Sequence, residues 1–169
     1  LLYDDCLERG RAIFPGSGPG QPPGIRYLGG TLETYGNSNT ADSLTALKHL
    51  VYDRQALAPA DVLAALDADF AGHARTRRLL EDEPKYGNDD ARADAMLVKV
   101  HEHVCNYVRS RAAKVGLHSY LVVIINNSAN TLMGRQTAAS PDGRKAFTPM
   151  NNGNAPSSGA DRKGVTAMF

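Results

Sequence analysis

The run Tyr120-Leu-Val-Val-Ile-Ile125 is apolar at every position, rich in β-branched residues, and follows directly on a long helical pattern. A strand that alternates apolar and polar residues covers one face; an uninterrupted one asks for cover on both. Before it, Leu97, Val100, Val104, Val108 and Ala112 recur at helical spacing and predict a helix over about 90–115, with Gly116 as its stop. A long helix feeding a doubly covered strand predicts an α/β layer or barrel, helix-rich in this segment.

Upstream the pattern is helical with punctuation. Leu2 and Cys6 fall at helical spacing and Gly10 can cap, so residues 1–12 read as the end of a helix. Residues 13–30 form a Pro/Gly-rich loop, built around Phe14-Pro-Gly-Ser-Gly-Pro-Gly-Gln-Pro-Pro-Gly24. They lack the Gly-Lys-Ser/Thr ending of a phosphate cradle. A helix capped by Asn39 or Thr40 would put Asp42 in its positive first turn and Leu44, Leu47, Leu50 and Val51 on one face. A second starts at Pro59 and buries Val62, Leu63, Leu66 and Phe70; a short third carries Leu79 and Leu80 until Pro84 breaks it. Beyond the strand, residues 126–164 are a long loop region rich in Asn, Ser, Gly and Pro. A loop of that length serves a function or wraps a larger body.

Composition narrows the function classes. With 42% hydrophobic and 22% charged residues in 169, and a formal charge of +1, the chain has the makings of one globular domain and no basic excess for nucleic acid. Two cysteines without CxxC spacing make neither a disulfide scaffold nor a zinc site, and no apolar run reaches membrane-span length. The expectations are a cytoplasmic protein with no membrane and no nucleic-acid partner.

Several motifs invite chemistry. His101 and His103 are two apart on a predicted helix and diverge, so they cannot share one metal ion. Asp89, Asp90 and Asp94 sit where a cap and a helix dipole favour carboxylates, Asn88 or Asp89 supplying the cap. No metal ligands and no bound cofactor are expected in this chain. Asn126, Asn127, Ser128 and Asn130 lie just past the predicted strand, on the side where α/β folds bind ligands, and are the substrate-lining candidates; stabilising a tight turn is the competing reading. Pro141, Asp142 and Gly143 suit successive positions of a type I turn, with Arg144 following.

Six segments stand in an order that resembles one family. Cys6-Leu-Glu-Arg-Gly10, Glu33-Thr-Tyr-Gly36, Ala41-Asp-Ser-Leu-Thr-Ala-Leu-Lys48, Lys85-Tyr-Gly-Asn-Asp-Asp90, Ala139-Ser-Pro-Asp-Gly-Arg144 and Gly159-Ala-Asp-Arg-Lys-Gly-Val-Thr-Ala167 are similar to the late-middle part of the glycyl radical enzymes, the pyruvate formate-lyase-like family. That resemblance implies part of a ten-stranded α/β barrel, with 1–169 a partial family domain. It implies a thiyl radical that cleaves a C–C, C–O or C–N bond of a small polar organic substrate. It also implies a glycyl radical installed by an S-adenosylmethionine-dependent activase, and a homodimer working in anaerobic metabolism. Cys6 with Glu8 imitates the family's catalytic cysteine loop, but their segment resembles a later, helical one, so Cys6 reads as packing. On this reading no catalytic residue lies in the chain. The sequence starts without Met, and the reactive cysteine would precede Leu1 and the radical glycine follow Phe169; alone, the segment is expected to be inert. The alternative is a family-like structural or binding module without radical chemistry.

Overall fold

A computed structural model describes residues 3–14, 22–124 and 128–168. Two compact units divide the chain. The first comprises the residues up to Leu32 together with Cys105–Val123. It holds helix α1 (Asp4–Arg9), most of strand β1 (Gly29–Glu33), the last turns of helix α5 (Ala91–Arg111), a 3₁₀ turn (Ala113–Val115) and strand β2 (Ser119–Val123). Helix α1 stops at Gly10, which takes the left-handed conformation at φ 57° and bonds back to the Cys6 and Leu7 carbonyls. Arg26 ties the following segment to this helix through Asp5 at 2.9 Å and Glu8 at 2.7 Å.

Strands β1 and β2 pair in a two-stranded sheet. Next to it, the His118 N–H bonds to the Leu28 carbonyl at 2.7 Å. Tyr120–Val123 of the apolar run is thus strand, as its β-branched composition favours, while Ile125 lies outside the described residues; yet Leu121 is 53% exposed and its neighbours are only half-buried. One pairing strand from within this chain cannot cover both faces of β2, which is the difference from the sequence expectation.

The second unit comprises Glu33–Val104 and the residues from Ile124 on. Helix α2 (Asn37–Leu47) runs into a π-helical turn (Lys48–Asp53), followed by α3 (Pro59–Asp67), α4 (Ala74–Asp82), the first part of α5, a short α6 (Ala129–Gly134) and a 3₁₀ turn (Val165–Met168). Its apolar core gathers Ala46, Leu50, Ala65, Phe70 and Leu80, with Leu57, Leu66, Leu79 and Ala139 packed around them. Pro59 starts α3 as its fixed φ allows, and Val62 and Ala65 form the buried stripe. Leu63, expected inside, is 60% exposed, because the buried arc passes through Val62, Ala65 and then Phe70.

Helix α2 departs furthest from expectation. It begins at Asn37 behind Gly36, and its buried side is mostly polar: Asn37, Ser38, Asn39, Asp42, Ser43 and Thr45 are all covered, whereas Leu44 is 42% exposed. Asp42 is therefore a buried side chain rather than a solvated carboxylate serving the dipole. At the start of α5 the cap is Asp90, whose Oδ1 accepts the Arg92 N–H at 3.0 Å, and not Asn88 or Asp89. Asn88 instead spans two loops, donating to the Lys85 and Ala160 carbonyls and accepting from the N–H groups of Arg162 and Lys163.

One glycine is fixed by contact as well as by conformation. Gly87 sits at φ 88°, and a Cβ there would lie 2.2 Å from Pro156 Cγ. Gly87→Ala is expected to destabilise by about 3 kcal/mol, the left-handed penalty plus overpacking. Gly72, at φ 77° with nothing within 4 Å, carries the conformational penalty alone, about 1 kcal/mol. Denaturant midpoints of the two alanine variants check this; equal shifts would show that Pro156 yields.

Candidate functional site

Four segments of the second unit converge on a cleft of about 360 Å³, with Asn39, Asp42, Lys85, Asp142, Ser157 and Arg162 among its walls. Helix α2 supplies Asn39 and Asp42 from adjacent turns. The break after α4 at Pro84 turns the chain so that Lys85 points back under the last turn of that helix. There its Nζ donates to the Leu80 carbonyl at 2.7 Å and the Glu83 carbonyl at 3.0 Å.

Asp142 comes from the tight turn. The Gly143 N–H bonds to the Ser140 carbonyl at 3.0 Å, which closes the four-residue turn, with Pro141 presetting φ and Gly143 at φ 93°. Buried Asp142 accepts from Ser140 Oγ at 2.6 Å, from the Arg144 N–H at 3.2 Å and from Asn39 Nδ2 at 2.6 Å. Its own N–H donates to Ser43 Oγ at 3.1 Å. Asn39 continues the network: Nδ2 also donates to Ser157 Oγ at 2.8 Å, and Oδ1 accepts the Asn151 N–H at 2.7 Å. Arg144 fastens the outer side of the loop, donating to the carbonyls of Lys145, Thr148 and Ala138 and to Ser140 Oγ. Arg77 reaches across from α4, its Nε donating to the Gly143 carbonyl at 3.1 Å while its other nitrogen pairs with Glu81 at 2.7 Å.

The electrostatics follow from burial. The Asp42 carboxyl is pushed up to about 7, chiefly by desolvation, against the Tyr86 N–H and the Lys85 ammonium, which favour its charge. Burial pushes Lys85 down, opposed by Asp42, Asp142 and Glu83. A carboxyl and an amine brought toward one another in proton affinity are a pattern of functional sites and of buried structural networks alike.

Of the substrate-lining candidates, Asn126 and Asn127 lie outside the described residues. Ser128 is exposed at φ 60°, immediately before α6. Asn130 is half-buried on α6 and donates to the Met150 carbonyl at 3.2 Å. Neither lines the cleft, which gathers Asp142, Gly143 and Arg144 instead. Among the described residues no three His, Cys, Asp or Glu side chains group as a metal site. No helix of the described residues is long and apolar enough to cross a membrane.

Helices and strands in this order, with a polar helix face bonded to a Pro-Asp-Gly turn, place the chain in a class. It belongs to the pyruvate formate lyase-like family, the glycyl radical enzymes; the family match covers residues 1–134. It is 38% identical to a probable dehydratase, YbiW, of Escherichia coli (strain K12), over 99% of this chain and 21% of that protein. It is 33% identical to the trans-4-hydroxy-L-proline dehydratase of Clostridioides difficile, over 99% and 20%. The solved B12-independent glycerol dehydratase of Clostridium butyricum superposes with a TM-score of 0.87 at 28% identity, over 98% of this chain and 20% of that one. The chain thus spans about a fifth of the length of the relatives it matches, and its fold is a helix-rich part of their α/β barrel.

Proposed function

We propose that the chain is a section of an enzyme that removes a leaving group from a small polar, hydroxylated organic molecule by radical chemistry. The observation that carries this reading is the end-to-end likeness: 99% of the chain aligns at 38% identity with a probable dehydratase, and 98% superposes on a glycerol dehydratase at a TM-score of 0.87. A glycyl radical, installed by an S-adenosylmethionine-dependent activase, would supply the hydrogen-abstracting power through a cysteine thiol. The contribution of these residues is architectural. Asn39 and Asp142 fix the 140–143 turn against α2, and Arg144 pins the chain beyond it, so that the long stretch after α6 holds one path. Such fixing of loops is what a reactive intermediate requires, since stray water or oxygen must be kept from it. In the same proposal Asn126, Asn127, Ser128 and Asn130 line the substrate, with Asn130 steadied through its bond to the Met150 carbonyl.

Anaerobic incubation of the full-length protein that contains this segment with its activase and S-adenosylmethionine, followed by electron paramagnetic resonance, is expected to give a glycine-centred doublet. Addition of a vicinal diol is then expected to yield the dehydrated carbonyl product. A full-length protein that stays silent under conditions that activate a known relative refutes the radical reading; a doublet without turnover of hydroxylated substrates refutes the substrate class.

A further inference from the structure

Asp42 is completely buried on α2, with Oδ1 accepting the Tyr86 N–H at 2.8 Å and Oδ2, equally dry, left without a hydrogen-bond partner. An ionised carboxylate in that position is costly, because one oxygen has lost water and gained nothing; a neutral carboxyl loses far less. Lys85 does not relieve it. The ammonium is committed to the Leu80 and Glu83 carbonyls and lends Asp42 only its field. The other charged groups facing the position come from each packed element: Asp142 from the tight turn, Asp94 from α5, and the Arg77–Glu81 pair of α4. Arg144, Lys145 and Arg162 stand on the cleft wall.

We propose that Asp42 is a proton-operated clasp: neutral, it sits dry against the Lys85–Tyr86 loop and the cleft floor stays closed; ionised, its waterless Oδ2 outweighs the strengthened bond from the Tyr86 N–H, and the loop lifts so that water reaches the carboxylate. The loop and the turn share the cleft floor, with Lys85 facing both Asp42 and Asp142, so release at Tyr86 also loosens the seat of the turn. The direction follows from linkage. In the closed form the carboxyl titrates at about 7, whereas a hydrated Asp titrates near 3.8. Between these values the closed form holds a proton that the open form has given up. Closure is therefore strongest on the acid side, weakens as pH rises through the window, and levels off above about 7. The device does not depend on the proposed radical chemistry, and the test below reads it in the protein without activation.

Amide exchange at Tyr86, corrected for the intrinsic pH dependence of exchange, is to be followed from pH 5 to 8 in the protein and in Asp42→Asn. The opening constant is expected to rise about tenfold per pH unit between pH 5 and 7 and then flatten, as release of a single proton demands. Asp42→Asn, which has no proton to lose, is expected to be flat throughout. A pH-independent Tyr86 in the unaltered protein, or the same slope in the variant, overturns the proposal. Should Asp42→Asn fail to fold, infrared difference spectra of the unaltered protein decide, using carboxyl-labelled Asp. A protonated-carboxyl band that disappears with a midpoint near 7 supports the clasp, and its absence at pH 5 overturns it.

Discussion

Asp142→Ala is expected to cost about 3 kcal/mol of stability and to free the 139–148 segment while α2 and α3 stay folded. The side chain accepts three hydrogen bonds, from Asn39, Ser140 and Arg144, inside a turn that is itself covered. Removing the acceptor leaves buried Asn39 with a donor short of its partner and removes the charge-assisted bonds that close the turn; each such orphaned group costs about 1–3 kcal/mol. Asp142→Asn separates the two contributions. Its remaining carbonyl oxygen still accepts from both Ser140 and Arg144, which share one oxygen of Asp142, but its amide meets the Asn39 amide donor to donor. An intermediate loss of about 2 kcal/mol is expected, in line with one unpaired buried donor. Denaturant midpoints give the energies, and cleavage after Arg144 or Lys145 by trypsin reads the loop. If Asp142→Ala leaves both unchanged, the turn is held by its own backbone bond together with Ser43, Arg77 and Arg144, and the carboxylate is dispensable. A double-mutant cycle with Asn39→Ala should return a coupling of about 1–2 kcal/mol, since the two side chains touch.

How far the sequence discloses this arrangement differs by element. The helices that pack through apolar residues announce themselves: Pro59 opens α3, the Leu97 to Ala112 stripe predicts α5, and Gly10 ends α1 in the left-handed conformation; α5 itself ends at Arg111, and Gly116 closes the 3₁₀ turn that follows it. Strand β1 does not. Gly29-Gly-Thr-Leu-Glu33 carries one large apolar residue, and its extended form is imposed by pairing with β2 rather than by propensity. The π-helical turn at Lys48–Asp53 is likewise tertiary in origin. The Arg54 N–H bonds to the His49 carbonyl at 2.9 Å, and the His49 side chain is drawn to Glu83, with Arg54 also 3.7 Å from that carboxylate.

The cleft was half visible for a similar reason. Pro141-Asp-Gly143 is a turn by local chemistry, and local chemistry survives in the fold. Asp42 and Lys85 were not visible as partners, because a carboxylate near a helix start ordinarily serves the dipole and a lysine ordinarily stays in water. The available signal was the spacing of Asn39, Asp42 and Ser43 at i, i+3 and i+4, a polar stripe where an amphipathic helix would bury leucines. Such a stripe is stable only if other segments supply matching bonds. These come from Tyr86, Asp142, Asn151 and Ser157, up to 118 residues away in sequence, which no local window reads.

Leu50→Ala is expected to be the most damaging single truncation in the second unit, at about 2–5 kcal/mol. Leu50 is fully buried where the π-helical turn leaves α2, packed in the cluster with Ala46, Ala65, Phe70 and Leu80. Two of those neighbours are alanines, which have no rotamers with which to refill the space, so the cavity stays open and the cost falls toward the upper part of that range. The residue also sits where collapse is hardest: its carbonyl accepts the N–H groups of Ala56 at 2.7 Å and Leu57 at 3.2 Å, so its backbone cannot slide inward without breaking both. Leu50→Met keeps the volume with a flexible chain and is expected to lose less than about 1.5 kcal/mol. The ratio of the two losses, measured by chemical denaturation, separates a void from a change of shape. Should Leu50→Met cost as much as Leu50→Ala, the close fit of the leucine in the π-helical turn, rather than filled volume, holds α2 against α3 and α4.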